Sequence, residues 1–324
     1  SRNQYLKSSE REKALALPTL LTGSAKNVLE GKRIDIDKLR KDLTEAGLIV
    51  EYLEAVDPFT LEPVESFAKP SLLAAAIHCE KTRLIDHAFL MNRKPIVAID
   101  GPAGAGKSTV TRKFASRAGL LYLDTGAMYR AVTWLFKSEE IDPLNELLVK
   151  RSLKDLKLKL HFASSGEQQI LINDIDVTTA IRTPEVTQLV STVAAQPSVR
   201  QALTEQQKNI GKVGGLVAEG RDIGTTVFPD ANLKIFLTAS PAERAKRRAE
   251  DLENKGFKVA NLKELESQIK ERDMLDSTRE ISPLMKAEDA TEIITDGMNI
   301  QEVVNVLYEL FRMKVPCDMW QDPN

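Results

Sequence analysis

The sequence predicts an α/β chain: a parallel sheet core built around a phosphate-binding loop, carrying a small antiparallel insert and preceded by a compact α/β module. Three observations lead there. Pro95-Ile96-Val97-Ala98-Ile99 is a short β-branched apolar run, as a buried strand requires, and the glycines at 101, 104 and 106 follow it directly. After them Val110, Phe114 and Ala118 recur at the spacing of one helix face. Leu121-Tyr122-Leu123, Leu216-Val217-Ala218 and Leu233-Lys234-Ile235-Phe236-Leu237 add the continuous apolar runs of a parallel sheet buried on both sides.

In chain order, Ser9 to Leu21 reads as a helix with a Glu- and Arg-rich outer face, and Asp37 to Ala46 as a second helix. Leu48 to Val56 reads as a strand closed by the Asp57-Pro58 turn, and Leu72 to Ile77 supplies another short apolar stretch. A helical segment is expected to end near Met91. Pro95 disfavours helix at Lys94, so the boundary is set at residue 93, giving modules 1–93 and 94–324. Past the loop, Asp124-Thr125-Gly126 leads from a strand into a helix containing Met128, Tyr129 and Arg130. Leu156 to Phe162 and Gln169 to Ile172 alternate as an antiparallel insert does. Long helices are expected from Pro241 to about Asn254, from Asn261 to about Leu275 and from Asn299 to Met313.

At 324 residues the chain has room for two cores. Its formal charge of −2 is spread evenly, and no basic tract or acidic tail marks a nucleic-acid or membrane surface. Cys79 and Cys317 are too few and too distant in sequence for a disulfide framework or a metal knuckle, which points to a reducing compartment, the cytoplasm. No apolar stretch reaches the ~20 residues of a membrane span. Ser1 in place of Met suggests a longer parent chain.

The run Gly101-Pro102-Ala103-Gly104-Ala105-Gly106-Lys107-Ser108-Thr109 has a specific chemistry. Its glycines let successive N–H groups converge on one cavity, Lys107 brings a cation to the outer phosphates, and Ser108 can hold Mg²⁺. A nucleoside triphosphate is the expected ligand. Moving a phosphoryl group between nucleotides also requires several cations from different parts of the chain. Arg130 and Arg221 lie just past the ends of strands, where ligands bind in open α/β sheets. Arg244, Arg247 and Arg248 share a helix, so two of them could meet one phosphate chain and form a wall of a lid; a solvated charged face is the alternative. Arg272, Asp276 and Arg279 fall on one helical face at i, i+4 and i+7, with an exposed ion-pair ladder as the plainer reading.

The order of motifs resembles a known family. Gly101 to Thr109, Leu123 to Arg130, Ser191-Thr192-Val193-Ala194-Ala195 with Val199-Arg200, Gly220-Arg221-Asp222-Ile223-Gly224-Thr225, and Glu271-Arg272-Asp273 through Arg279 are similar to bacterial cytidylate kinases over essentially all of 94–312. The resemblance implies the P-loop nucleoside-monophosphate-kinase fold, with core, monophosphate-binding insert and lid, and transfer from ATP to CMP or dCMP. It implies that Lys107, Arg130, Arg221, Arg272 and Arg279 serve catalysis, with Arg244 and Arg248 joining the loop at ATP. Ser191, Arg200 and Asp222 would read the cytosine edge, Arg272 and Asp276 the sugar, and Arg130, Arg221 and Arg279 the phosphate or base side, with Thr125 and Tyr129 in the same CMP site. A carboxylate at Asp222 can accept from the cytosine amino group, which uracil lacks. Ser108 stands where many family members have glycine, adding a Mg²⁺ ligand.

Residues 1–93 resemble a different family. Ser1-Arg2-Asn3-Gln4-Tyr5-Leu6 with Arg11, Tyr52 to Asp57, Ala74-Ala75-Ala76 and Lys81 to Asp86 are similar to the carboxyl-terminal domain of pantoate–β-alanine ligases. The two resemblances together match the family of bifunctional pantoate ligase/cytidylate kinases. They imply that Ser1 and Arg2 belong to a loop that touches ATP in the ligase. Among His78, His87 and His161 there is no His-x-Gly-His signature of a ligase nucleotide-binding half, so ligase chemistry is not expected from these residues alone. Residues 1–93 are then read as non-catalytic, able to pair with a second copy. The alternatives left open are a kinase for another small acceptor such as UMP or AMP, and an idle nucleotide-binding or assembly module.

Overall fold

The computed structural model describes residues 2–67, 70–162, 168–254 and 261–315. They fall into two compact units, the first running to Lys94 and the second spanning Pro95–Lys314.

In the first unit three helices, α1 (Ser8–Ala14), α2 (Ala16–Leu29) and α3 (Ile36–Glu45), precede an antiparallel sheet of β1 (Ile49–Val56), β2 (Ser71–Cys79) and β3 (Thr82–Leu90), ordered β1-β2-β3. Asp35 caps α3, accepting from Lys38 N at 3.1 Å, and Leu17, Leu21, Leu43, Leu53, Leu73 and Ile77 form the buried core.

The second unit starts with β4 (Ile96–Asp100), α4 (Lys107–Ala118), β5 (Leu121–Asp124) and α5 (Thr125–Ser138). After α6 (Glu146–Lys154) comes a small antiparallel sheet of β6 (Leu158–Phe162), β7 (Gln168–Ile172) and β8 (Ile175–Asp176), then α7 (Pro184–Ala195) and α8 (Pro197–Ile210). The chain returns to the main sheet with β9 (Leu216–Gly220) and β10 (Leu233–Thr238), continues through α9 (Pro241–Asn254) and α10 (Leu262–Thr278), and finishes with β11 (Thr291–Ile294) and α11 (Ile300–Lys314). The five main strands are parallel in the order β11-β10-β4-β9-β5. β4 is buried along its whole length, and Phe114 of α4 packs edge-on against Phe311 of α11 at 5.7 Å.

This topology aligns the carboxyl ends of β4, β5 and β9, because Asp100 pairs with Gly220 and Asp124 with Glu219. The loop after β4 therefore opens beside the turns after β5 and β9, at the reversal of strand order where such sheets bind ligands.

The parallel core, the antiparallel insert and the helices at 241–254, 262–278 and 300–314 follow the sequence reading. Two expectations in the first unit need correction. The helix expected over Ser9 to Leu21 is two helices, broken after Ala14, with the second running on to Leu29. Pro18 has no N–H to offer the Ala14 carbonyl and sits in the first turn of α2, where that loss is tolerated. The segment before Met91 is not helix but β3, paired with β2 from Ser71↔Leu90 to Cys79↔Thr82 through a turn with Glu80 at φ 51°. Its apolar residues at 84, 85, 88 and 89 have helical spacing, and hairpin pairing overrides it. Helices α6, α7 and α8 and the edge strand β11 were not read from the sequence.

Gly101 shows how tightly the main sheet constrains the loop: at φ 150°, an added Cβ would stand 2.0 Å from the Leu237 carbonyl oxygen of β10. Gly101→Ala should destabilise the second unit by about 3 kcal/mol or more. Thermal and urea unfolding test this; a wild-type midpoint would show that β4 and β10 can separate at no cost.

Candidate active site

The loop 101–106 reverses the chain between β4 and α4. Gly104 (φ 77°) and Gly106 (φ 81°) occupy the left-handed region, which glycine adopts without penalty. Lys107, the first residue of α4, is buried, and its Nζ donates to the carbonyls of Gly101 at 2.8 Å and Pro102 at 2.7 Å. Ser108 Oγ donates to Glu219 Oε1 at 2.5 Å, while the buried Oε2 of Glu219 has no partner. Burial raises Glu219 above the usual carboxylate range, with Asp124 adding to the rise and Lys107 opposing it. Burial and the Arg221 guanidinium hold Lys107 well below an ordinary lysine. Asp100 is buried at the end of β4 and accepts from Ile223 N (2.8 Å) and Gly224 N (2.7 Å), fixing the turn that follows Asp222. Burial still lifts it to about 6, those two bonds opposing the rise.

Opposite the loop lies a set of paired charges. Arg200 on α8 donates through Nη2 to Asp222 Oδ2 at 2.5 Å, with both side chains almost fully buried, and through Nη1 to the Ala194 carbonyl at 3.0 Å. The same guanidinium lies over the Tyr129 ring at 5.4 Å. Arg279 approaches the other oxygen of Asp222 at 3.6 Å. Arg221 Nε donates to Asp276 Oδ2 at 2.8 Å. Burial disfavours the charged form of Asp276, yet Arg221, Arg272 and Arg279 outweigh it and hold the group below its ordinary value. Arg130 Nη1 donates to Thr187 Oγ1 at 2.8 Å, and Thr125 Oγ1 donates to the Glu219 carbonyl at 2.7 Å. The buried Nε of Arg272 has no partner, and burial together with Arg221 lowers that guanidinium to about 10.

These groups share one cavity of about 1360 Å³. Ala103 to Thr109, Thr125, Tyr129, Arg130, Ser191, Arg200, Arg221, Asp222, Arg248, Arg272, Asp276 and Arg279 all line it. The sequence thus named parts of this wall from positions as far apart as 103 and 279.

Three residues assigned to ATP do not line the cavity. Gly101 and Pro102 lie beneath the loop, presenting carbonyls to Lys107. Arg244 sits behind it, buried, with Nε on the Ala239 carbonyl (2.9 Å), Nη1 on the Ala103 carbonyl (3.1 Å) and a forked pair to Asp273 (3.0 and 2.5 Å). Of the three arginines on α9, Arg247 and Arg248 face the cavity, and Arg247 is held by Glu243 and Thr295. The face expected of Arg272, Asp276 and Arg279 is also modified: α10 ends at Thr278, Arg279 is extended, and the hydrogen-bonded partner of Asp276 is Arg221. Ser1 and the side chain of Arg2 lie outside the described residues.

Sequence reasoning passed over Glu219, Asp100, Asp273 and Thr187. The first two were detectable, since an acid closing an otherwise apolar buried strand, as in Leu216-Val217-Ala218-Glu219 or Ile96-Val97-Ala98-Ile99-Asp100, is a costly placement. Asp273 and Thr187 carry no local signal.

Comparison with known proteins agrees with this geometry. Residues 97–313 match the family model of cytidylate kinase, and residues 1–89 that of pantoate-beta-alanine ligase. The chain is 60% identical over 323 residues to a bifunctional pantoate ligase/cytidylate kinase of Prochlorococcus marinus strain MIT 9303, covering 100% of this chain and 66% of that protein. It is 61% identical over 320 residues to a protein of the same description from strain MIT 9313, covering 99% and 63%. A Synechococcus relative, strain WH7803, with that description is 56% identical over 326 residues, covering 100% and 66%. The chain therefore spans under two thirds of the length of these curated relatives. No helix among the described residues is long and apolar enough to cross a membrane.

The Arg200–Asp222 pair is buried deeply enough for its loss to be measured. Asp222→Ala should leave Arg200 without its counter-charge and destabilise the second unit by about 3–5 kcal/mol. The double variant Arg200→Met with Asp222→Leu should recover a large part of that loss. Urea unfolding of the full chain followed by circular dichroism decides it, and equal losses in the single and double variants would contradict the pairing argument.

Proposed function

The chain belongs to the cytidylate kinase family, and from that premise we propose that residues 94–324 transfer the γ-phosphoryl group of ATP to CMP or dCMP, yielding ADP and the diphosphate. The observation that carries the reading is the single cavity shared by the glycine loop and the arginines 130, 221, 272 and 279. Two nucleotides meeting end to end bring several negative charges into one space, and this set of cations answers that demand.

In this mechanism the donor phosphates bind at the N–H groups of Ala103 to Thr109 and the amino end of α4. Lys107 leaves the carbonyls of Gly101 and Pro102 for the phosphoryl oxygens, where the anion favours its charged form. Arg130, Arg221, Arg272 and Arg279 neutralise the acceptor phosphate and the transferring group. The acceptor phosphate is already ionised, so no general base is required. Ser191, Arg200 and Asp222 read the pyrimidine: Asp222 accepts from the exocyclic amino group, and Arg200, bonded to Asp222 and to the Ala194 carbonyl, holds that carboxylate in place. Asp276 is positioned for the ribose, with deoxyribose also accommodated, and Thr125 and Tyr129 complete the wall. Residues around α9 and α10 close over the phosphates and exclude water.

Mg²⁺ fits the residues present, because Ser108 Oγ and the Glu219 carboxylate are adjacent oxygen donors lining the cavity and Glu219 Oε2 has no partner. Ser108 would hold the ion directly and Glu219 would hold it or its waters; bound there, Mg²⁺ neutralises charge on the donor phosphates.

Residues 1–93 we read as a carboxyl-terminal pantoate ligase domain, with residues 1–89 matching that family. It would contribute to ligation only together with a nucleotide-binding half, and its surface can serve self-association. Cytoplasmic residence is part of the same reading.

Lys107→Ala should reduce turnover about 10³-fold or more with the circular dichroism spectrum unchanged. An ADP-release assay across CMP, dCMP, UMP and AMP should rank CMP and dCMP first; faster turnover of UMP or AMP would refute the roles of Ser191, Arg200 and Asp222. Ser108→Gly should raise several-fold the Mg²⁺ concentration giving half-maximal rate, and an unchanged Mg²⁺ titration would remove Ser108 from the ion's ligands.

A further inference from the structure

We propose that Arg244 is a positioning residue that fixes the peptide between Ala103 and Gly104 from behind the loop, so that the Gly104 amide is turned toward the donor phosphates. The inference rests on the reading of the cavity as a kinase site and adds a residue that never touches the nucleotide.

The argument begins with the peptide itself. In a trans peptide the C=O of one residue and the N–H of the next point in opposite directions. Arg244 Nη1 donates to the Ala103 carbonyl at 3.1 Å, so the carbonyl is drawn toward α9 and the Gly104 N–H is directed the other way. Gly104 lines the cavity and Arg244 does not. The glycine also neighbours this arginine: an added Cβ would lie in ordinary van der Waals contact, 3.5 Å from Arg244 Cβ. Gly104 sits at φ 77°, and glycine is the residue for which both senses of φ are open. Rotation of that one peptide would replace an N–H donor by a carbonyl oxygen facing the phosphates. The hydrogen bond from Arg244 is what opposes it.

The guanidinium can serve as an anchor because it is itself held. Four of its N–H contacts go to the protein: Nε to the Ala239 carbonyl at the end of β10, Nη1 to Ala103 and Asp273 Oδ1, and Nη2 to Asp273 Oδ2. The fork to Asp273 fixes the plane of the guanidinium, as a single contact would not. Asp273 lies on α10, next to Arg272 and one turn before Asp276, both of which face the cavity. The brace thus joins three elements: the end of β10, the donor loop and the helix that carries acceptor-side groups.

A purely structural pair and a brace differ in what they do to the two ligands. None of the hydrogen bonds of Arg244 goes to a residue assigned to CMP, Arg272 and Asp276 on α10 included, so loss of the brace should weaken the donor selectively. The test is binding of a fluorescent ATP analogue and, separately, of CMP by calorimetry, on the full chain, with folding checked by circular dichroism. Arg244→Met should raise the donor Kd tenfold or more and leave the CMP Kd within twofold. Arg244→Lys, which can still reach one carbonyl, should recover part of the loss. Asp273→Asn should raise the donor Kd several-fold, and the double variant Arg244→Met with Asp273→Asn should be no worse than Arg244→Met, since both act through one contact. Should Arg244→Met not fold, Asp273→Asn carries the test, because that side chain is 26% exposed and tolerates the change better. Donor affinity within twofold of wild type in the folded variants, equal losses for donor and CMP, or additive losses in the double variant would each overturn the proposal. Failure of the wild-type chain to phosphorylate any monophosphate would instead strike the proposed function, leaving the donor-binding comparison intact.

Discussion

Charge held out of water at the carboxyl edge of one parallel sheet is the constraint that shapes the rest of the second unit. Lys107, Arg200, Arg244, Asp100, Glu219, Asp222 and Asp276 are all buried there. An uncompensated ion in such surroundings costs several kcal/mol, so each has to be met by an opposite charge or by backbone dipoles. Arg200 meets Asp222, Arg221 meets Asp276, Arg244 meets Asp273, and Asp100 takes two N–H groups at the turn after Asp222. Where compensation is incomplete the groups move toward neutrality, which is why burial lowers Lys107 and raises Glu219.

Bringing these charges together is the work of topology. With β4 between β9 and β10, the segments after Asp100, Gly220 and Thr238 leave the sheet on one edge. The loop after β4 is pinned underneath by the close approach of Gly101 to the Leu237 carbonyl and behind by Arg244. Helices α8 and α10 then bring arginines to the opposite wall from distant parts of the chain, and the hydrophobic stripe of Val199 and Leu203 on α8 sets the height at which Arg200 enters.

How much of this the sequence disclosed depended on whether a signal was local. The β4–loop–α4 unit is written in one uninterrupted stretch, Ile96 to Ala118, and it was read with its strand and its helix. The runs at 216–218 and 233–237 are apolar throughout, as strands of a doubly covered sheet must be, and they too were legible. The β3 strand was not, because Leu84, Ile85, Ala88 and Phe89 repeat like a helix face while their pairing partner in β2 is fixed by a hairpin. The division of labour among Arg244, Arg247 and Arg248 was equally hidden. Spacings of three and four place them near one another on α9, but which one turns inward depends on Asp273, twenty-nine residues farther on.

The ion pairs fall into two kinds, and exposure separates them. Arg221 keeps 20% of its side chain accessible and faces the cavity, so an entering phosphate can take it from Asp276 in exchange for a comparable charge-assisted hydrogen bond, worth about 1.5–3 kcal/mol on either side. Such an exchange costs little and frees Asp276 to accept from a hydroxyl. Arg244 keeps 4% and does not line the cavity, so an entering phosphate does not compete directly for its bonds. Arg200 stands between: its contacts to Asp222 and Ala194 are buried, yet the residue lines the cavity and its buried Nε has no partner. In the proposed reaction the site grips two anions and then releases them, which calls for both kinds, labile pairs where charge arrives and permanent ones where geometry has to survive its departure.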